Sequence, residues 1–383
     1  MVDDLFNFEN NSVEYENEQI EYVEEIKVVT RGVDFSVREL KMLREEKELV
    51  VPQFQRELVW DNKRKSRFIE SILLGYPIPG MFFTDLEAGQ MMIIDGQQRI
   101  NTLVEFLNNE LKIIKRDDIN PKWRGRFYRE IDEESQRRLR NTNIRASVFQ
   151  ILSDEVDKNI ALYSLFERIN TGSIQLNSQE IRRAIYFGEF IKELNSFVEK
   201  PIWLAAYKAV FVNETEELKK DKRLNDQEII ARYFTIQSLI DNNELDSDIS
   251  YKKEINRYMS GMQKTDLTLV IEKFQELENK LDWLQSQIKV PVGYLFRRPT
   301  EEILDLEGLQ NHLKGKKFNI PLFESIMICL DKINFISTKF DLEKHFSLFN
   351  DPKFVESISA QTNRLENINY RISAIKEVFF SGE

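Results

Sequence analysis

Apolar residues in the first 115 positions change rhythm several times, and each change marks an element. From Ser36 the spacing is helical, with Leu40 and Leu43 on one face. Leu49-Val50-Val51 is a short β-forming run that leads into the loop Pro52-Gln53-Phe54-Gln55-Arg56. Phe68, Ile69, Ile72 and Leu73 line one side of a second helix, for which Asp61 is the expected N-cap. Gly75-Tyr76-Pro77-Ile78-Pro79-Gly80 stops that helix and turns the chain. Met81-Phe82-Phe83 and residues 91–94 then read as buried strands on either side of a turn at 87–90. After the second strand the spacing is helical again, through Ile100, Leu103, Val104 and Leu107.

Residues 146–151 form one further expected strand, and 157–169 a helix ended by Asn170-Thr171-Gly172-Ser173. Ser178 is the expected cap of the next helix, supported by Glu180 and Ile181. Beyond this the text is nearly all helical, at 185–197, 229–240, 267–288, 322–336 and 368–380, with sparse strand signals and no fixed repeat. The pattern predicts an α+β chain. An α/β domain covers residues 28–180, an α-helical domain covers 181–383, and residues 1–27 form an acidic flexible tail. The first 26 residues hold nine acidic residues and no basic one. They read as mobile, or alternatively as a nucleic-acid mimic covering a basic groove.

Composition narrows the class. A chain of 383 residues, 42% hydrophobic and 31% charged, suits about two globular domains. Cys329 is the single cysteine, which excludes an intrachain disulfide and a cysteine-based zinc site and fits a reducing cytoplasm. No membrane span is expected, because Glu324, Asp331 and Lys332 break the most apolar stretch, and the acidic start gives no sign of a secretory signal. His312 and His345 are the only histidines and stand without motif neighbours, against a histidine-based nuclease or a Ser-His-Asp hydrolase. A net charge of −11 argues against general polyanion binding. Residues 115–145 differ, with ten Lys/Arg against six Asp/Glu. Two readings fit them: a solvated helical hairpin, which the mixed signs favour, or a phosphate-contacting surface through Lys122, Arg124, Arg126, Arg137 and Arg138.

Asp95-Gly96-Gln97-Gln98-Arg99 is the stretch that a core would not choose. It lies at a strand-to-helix turn, where backbone N–H groups and the helix dipole favour phosphate. Gly96 lets the backbone approach a ligand, Arg99 has the fork that grips two phosphate oxygens, and Asp95 suits Mg²⁺ or the orientation of a water. Gln55-Arg56, after another strand, gains meaning only if it converges on the same anion. Phe166-Glu167-Arg168-Ile169-Asn170-Thr171-Gly172 is a helix end, or a cover that brings Arg168, Asn170 and Thr171 over the site. There is no Walker A or GxGxxG pattern.

Together these clusters resemble the ParB/sulfiredoxin-like family, in the branch of the GmrS portion of GmrSD restriction systems and the N-terminal part of SspE. The residues that carry the likeness are Val51-Pro52, Gln55-Arg56, Trp60, Ser71-Ile72-Leu73, Pro77-Ile78-Pro79, Asp95 to Arg99, Thr102-Leu103, Phe166, Asn170-Thr171-Gly172, Leu176 and Glu180. The resemblance implies NTP hydrolysis with a divalent cation, in defence against foreign DNA. Asp95 would be the catalytic or metal-positioning acid, and Gln98 would orient water or nucleotide. Arg99, Gln55 and Arg56 would hold phosphates, with Gly96, Gln97, Thr102, Asn170 and Thr171 also lining the nucleotide. Two-part members carry a histidine-rich HNH nuclease region, which this chain lacks. The resemblance therefore points to an NTP-using sensor of DNA that acts with a separate effector or nuclease chain and leaves a homodimer open. The competing readings are a DNA-binding module without turnover and a metal-dependent nuclease built on Asp95.

Overall fold

The computed structural model describes residues 27–51, 60–86, 89–152, 155–169, 177–215, 221, 224–299, 313, 316–331 and 333–381. The expected acidic tail lies outside them. The chain divides into two compact units at the Ile185–Tyr186 junction.

The first unit is α+β. Five strands, β1 (Val28–Ser36), β2 (Leu49–Val50), β3 (Met81–Asp85), β4 (Met91–Asp95) and β5 (Asn143–Ile151), form one sheet in the order β1-β5-β3-β4-β2. The β1–β5 and β3–β4 pairs are antiparallel, and the β5–β3 and β4–β2 pairs are parallel. One sheet face presents Met81, Phe83, Met91, Ile93, Ile144, Ala146 and Val148, every second residue, as a pleated strand requires. Helices α1 (Val37–Glu45), α2 (Asn62–Leu74), α3 (Gln97–Leu107) and α4 (Glu133–Asn141) close over that face with Leu40, Ile69, Ile72, Ile100, Leu103, Phe106 and Leu139. Helix α5 (Glu155–Ile169) packs against β4.

Local signals set these boundaries. The Asp61 carboxylate accepts the Arg64 N–H and starts α2, and Gly75 ends it in the left-handed region at φ 79°. Helix α6 (Ser178–Ile185) corrects its expected cap by one residue. Asn177 Oδ1 accepts the Glu180 N–H at 2.8 Å, and Glu180 Oε2 accepts the Asn177 N–H at 2.7 Å. This reciprocal box needs Glu three residues after the cap, and only Asn177 satisfies that spacing.

Residues 115–145 are not a helical hairpin. Only α4 is α-helical there, and Ile119, Trp123, Ile131 and Leu139 belong to the core. Trp123 Nε1 donates to Ser135 Oγ at 2.9 Å, which pins the loop to α4.

The second unit is built around the helix Asn225–Asp241, which is buried along most of its length. The helices Glu189–Phe197, Tyr251–Met262, Leu267–Gln287, Ile320–Leu330 and Leu365–Lys376 accompany it. Three expected helices are shorter than their apolar patterns. The 185–197 pattern breaks before Glu189, the 322–336 pattern stops at Leu330 with Ile336 97% exposed, and the 368–380 pattern yields to a strand. That strand, Phe379–Ser381, pairs antiparallel with Thr338–Phe340, a two-stranded sheet that the sequence reading lacked. His345 is the expected packing residue, enclosed by Phe340, Phe346 and Phe349; His312 lies outside the described residues.

Candidate functional site

The turn between β4 and α3 carries the Asp95-Gly96-Gln97-Gln98-Arg99 cluster. β4 ends in an irregular pairing: Asp95 lies opposite Phe82 but Ile93 opposite Phe83, which leaves Ile94 as the extra residue of a bulge. A bulge redirects the side chain that follows it, here Asp95. Gly96 sits at φ 110°, and a Cβ there would lie 2.9 Å from Met81 Cγ. Both the backbone and the space beneath demand glycine. Gly96 has no side chain to cap α3, so the first-turn N–H groups face ligand or solvent.

Arg99 is almost buried, at 9% exposure. Its Nη2 donates to Asp95 Oδ2 at 2.7 Å, and its Nη1 donates to the carbonyls of Pro79 and Gly80. Burial lowers its pKa and the Asp95 charge opposes that shift; arginine remains a cation at neutral pH. Both terminal nitrogens thus have partners inside the protein, and the guanidinium ties Asp95 to the turn that precedes β3. The Asp95 side chain stays 46% exposed. Among the described residues its Oδ1 accepts no hydrogen bond.

Gln98 Oε1 accepts the Trp60 N–H at 3.3 Å. Trp60 is the first described residue after 52–59, and its ring meets Phe68 edge-on at 5.5 Å. Gln97 is half-buried on the first turn of α3. Thr102 corrects an expectation. It is 0% exposed, and its hydroxyl donates to the Gln98 carbonyl at 2.6 Å, one helical turn back. It braces the helix and has no face for a nucleotide. Gln55, Arg56, Asn170 and Thr171 lie outside the described residues. Arg168 is exposed near the end of α5.

The residues fit a magnesium ion in one limited way. Among the described residues no three His, Cys, Asp or Glu side chains gather as a metal cage. Mg²⁺ needs no such cage when phosphates and waters complete its shell, and one carboxylate oxygen can suffice. Asp95 Oδ1 offers that oxygen. The sequence reading missed the anchoring of Arg99 and the Trp60–Gln98 bond. The first had a signal, because Asp95 and Arg99 are four residues apart and meet across one turn.

The expected DNA-contacting residues separate. Lys122 lies 3.3 Å from Asp132, and Arg124 lies 2.8 Å from Asp117. Arg138 donates to the Leu73 carbonyl at 3.0 Å. Arg126 and Arg137 are exposed. Lys122 and Arg124 are thus matched by carboxylates rather than left open to phosphate.

The family model for the N-terminal domain of the GmrSD restriction endonuclease matches residues 39–187. This part of the chain is similar to the GmrSD N-terminal domain. The matched region runs from α1 through α6 and holds the whole β4–α3 turn. No curated protein and no solved structure matches the chain. Among the described residues of the chain, no helix is long and apolar enough to cross a membrane.

Proposed function

We propose that this chain is the NTP-hydrolysing component of a DNA-directed restriction system, with the β4–α3 turn as its nucleotide site. The observation that carries the reading is Asp95 itself: one carboxylate oxygen is fixed by a buried arginine and the other is open, beside an uncapped helix N-terminus. A bare carboxylate repels phosphate, so this juxtaposition makes sense when a divalent cation lies between them. Asp95 would hold that cation. The cation, when bound, would neutralise charge on the transferring phosphoryl oxygens. The N–H groups of the first α3 turn would receive phosphate oxygens, and the Gln98 carboxamide, steadied by Trp60, would donate through its amide to water or nucleotide. Arg99 acts through Asp95 by fixing the orientation of its carboxylate. The resemblance in sequence adds Gln55 and Arg56 as candidate phosphate contacts. The family match supports the restriction setting. Strand cleavage would fall to a separate effector chain.

The deciding experiment is phosphate release from ATP, GTP, CTP and UTP with Mg²⁺, with and without DNA. Turnover that is lost in Asp95→Ala supports the site and reveals the base preference. A folded protein that hydrolyses none of the four overturns it, and DNA nicking that is lost in the same variant would transfer Asp95 to a nuclease role.

A further inference from the structure

Five cations outside the nucleotide site stand together without carboxylate partners. Residues 109–115 and 125–129 are stitched side by side. Ile113 N–H donates to the Arg126 carbonyl at 3.0 Å, Gly125 N–H to the Ile113 carbonyl at 2.9 Å, and Arg129 N–H to Asn109 Oδ1 at 2.7 Å. This brings Lys112 and Arg129 to the half-buried Phe127 ring, with the cations 5.3 and 5.8 Å from its centroid. Arg126 adjoins Phe127 in the chain, Lys115 packs beside Gly125 across the stitched segments, and Arg140 reaches the neighbouring Tyr128 from α4. Among the described residues none of these five forms an ion pair. Glu130 is the carboxylate tied into the group, through the Phe127 N–H at 2.9 Å. The adjoining cations differ: Lys122, Arg124, Arg116 and Arg67 each meet Asp132, Asp117 or Asp118.

We infer that the surface of Lys112, Lys115, Arg126, Arg129 and Arg140 around Phe127 is the docking site for the phosphate backbone of duplex DNA. A chain with net charge −11 repels a polyanion over most of its surface, so attraction is confined to a patch whose cations are not already neutralised. Long cationic stems with no fixed carboxylate geometry suit a regular row of phosphates. The aromatic ring keeps two of the heads together at little entropic cost. The inference rests on the DNA-directed part of the proposed function and is independent of the nucleotide site.

The test is binding of a short labelled duplex of mixed sequence by the full chain across a salt series. The Lys112→Ala/Arg129→Ala/Arg140→Ala variant is expected to bind about tenfold or more weakly and to flatten the log–log salt slope by roughly 2 to 3 units, at about 0.9 per lost phosphate contact. The charge-keeping set Lys112→Arg/Arg129→Lys/Arg140→Lys should stay within about threefold of wild type, which separates charge from folding. Arg31→Ala/Lys192→Ala/Lys353→Ala removes equal charge from cations that have carboxylate partners, and it should change the slope by less than about one unit. Equal loss in that control, no loss in the patch variant, or no salt-sensitive binding by wild type overturns the inference. Phosphate release from the same samples keeps the two ideas apart. Hydrolysis without duplex binding sinks the patch alone, and patch-dependent binding without hydrolysis sinks the nucleotide site alone.

Discussion

Two buried arginines, one in each unit, meet carboxylates in opposite ways. Arg99 holds one oxygen of a carboxylate that is half open to solvent. Arg232 binds Glu324, which is 0% exposed, and Arg371 approaches the same carboxylate at 3.6 Å. Around Glu324 every group is enclosed. The Arg232 guanidinium lies 3.5 Å over the Tyr251 ring, and Arg371 also donates to Ser325 Oγ and to the carbonyls of Ser357 and Thr362. The chemistry of the pairs is alike, but their access differs. A carboxylate surrounded on all sides serves the fold, whereas one with a free oxygen at an uncapped helix end remains able to bind a ligand.

The sharpest way to break this comparison is a matched pair of isosteres. Asp95→Asn removes the charge but keeps an acceptor for Arg99. Hydrolysis should fall by about a hundredfold or more, while the unfolding free energy from denaturant titration changes by no more than about 1 kcal/mol. Glu324→Gln should do the reverse to stability, with a loss of roughly 3 to 5 kcal/mol as two buried arginines lose their counter-charge. A stable Glu324→Gln protein would show that the enclosed pair is dispensable.

A pH test separates the second unit further. Burial among aromatic rings drives the His345 pKa down to about 4. Neither ring nitrogen has a well-formed hydrogen bond, and the Leu295 backbone opposes the shift only in part. The folded state therefore keeps His345 neutral, while the unfolded chain takes up a proton near pH 6.5. The stability is complete above that value and drains away as pH falls toward about 4, by up to roughly 3 kcal/mol. Melting curves at about pH 7 and pH 5 should diverge for wild type and converge for His345→Phe. Equal divergence in the variant would assign the acid sensitivity to other groups. The smallest effect belongs to Thr102→Val, at less than about 1 kcal/mol of stability and with hydrolysis within about twofold of wild type. A larger loss of hydrolysis would return Thr102 to the site.

What could be read in advance was local. Asp61, Gly75 and the unbroken apolar run of β4 announce their roles through near neighbours, and the α+β layout follows from them. The Asp95–Arg99 spacing was readable too, but the carbonyls of Pro79 and Gly80 were not, because they reach Arg99 through the β3–β4 pairing. That tertiary contact changes the expected role of Arg99 from phosphate grip to carboxylate anchor. The Phe379–Ser381 strand was missed because apolar residues spaced for a helix continue past Lys376, and only its pairing with Thr338–Phe340 decides otherwise. The lysines and arginines of 115–145 count alike in a sequence. Only folding reveals which of them carry an aspartate.

Trp60 gives the turn an optical consequence. It is one of four tryptophans, its ring is set edge-on to Phe68, and its amide is bound to Gln98 within the cluster itself. Any molecule that shifts Gln98 would disturb the surroundings of this indole. Intrinsic emission could then follow occupancy in real time, with no label attached to either partner, and a Trp60→Phe chain would supply the blank.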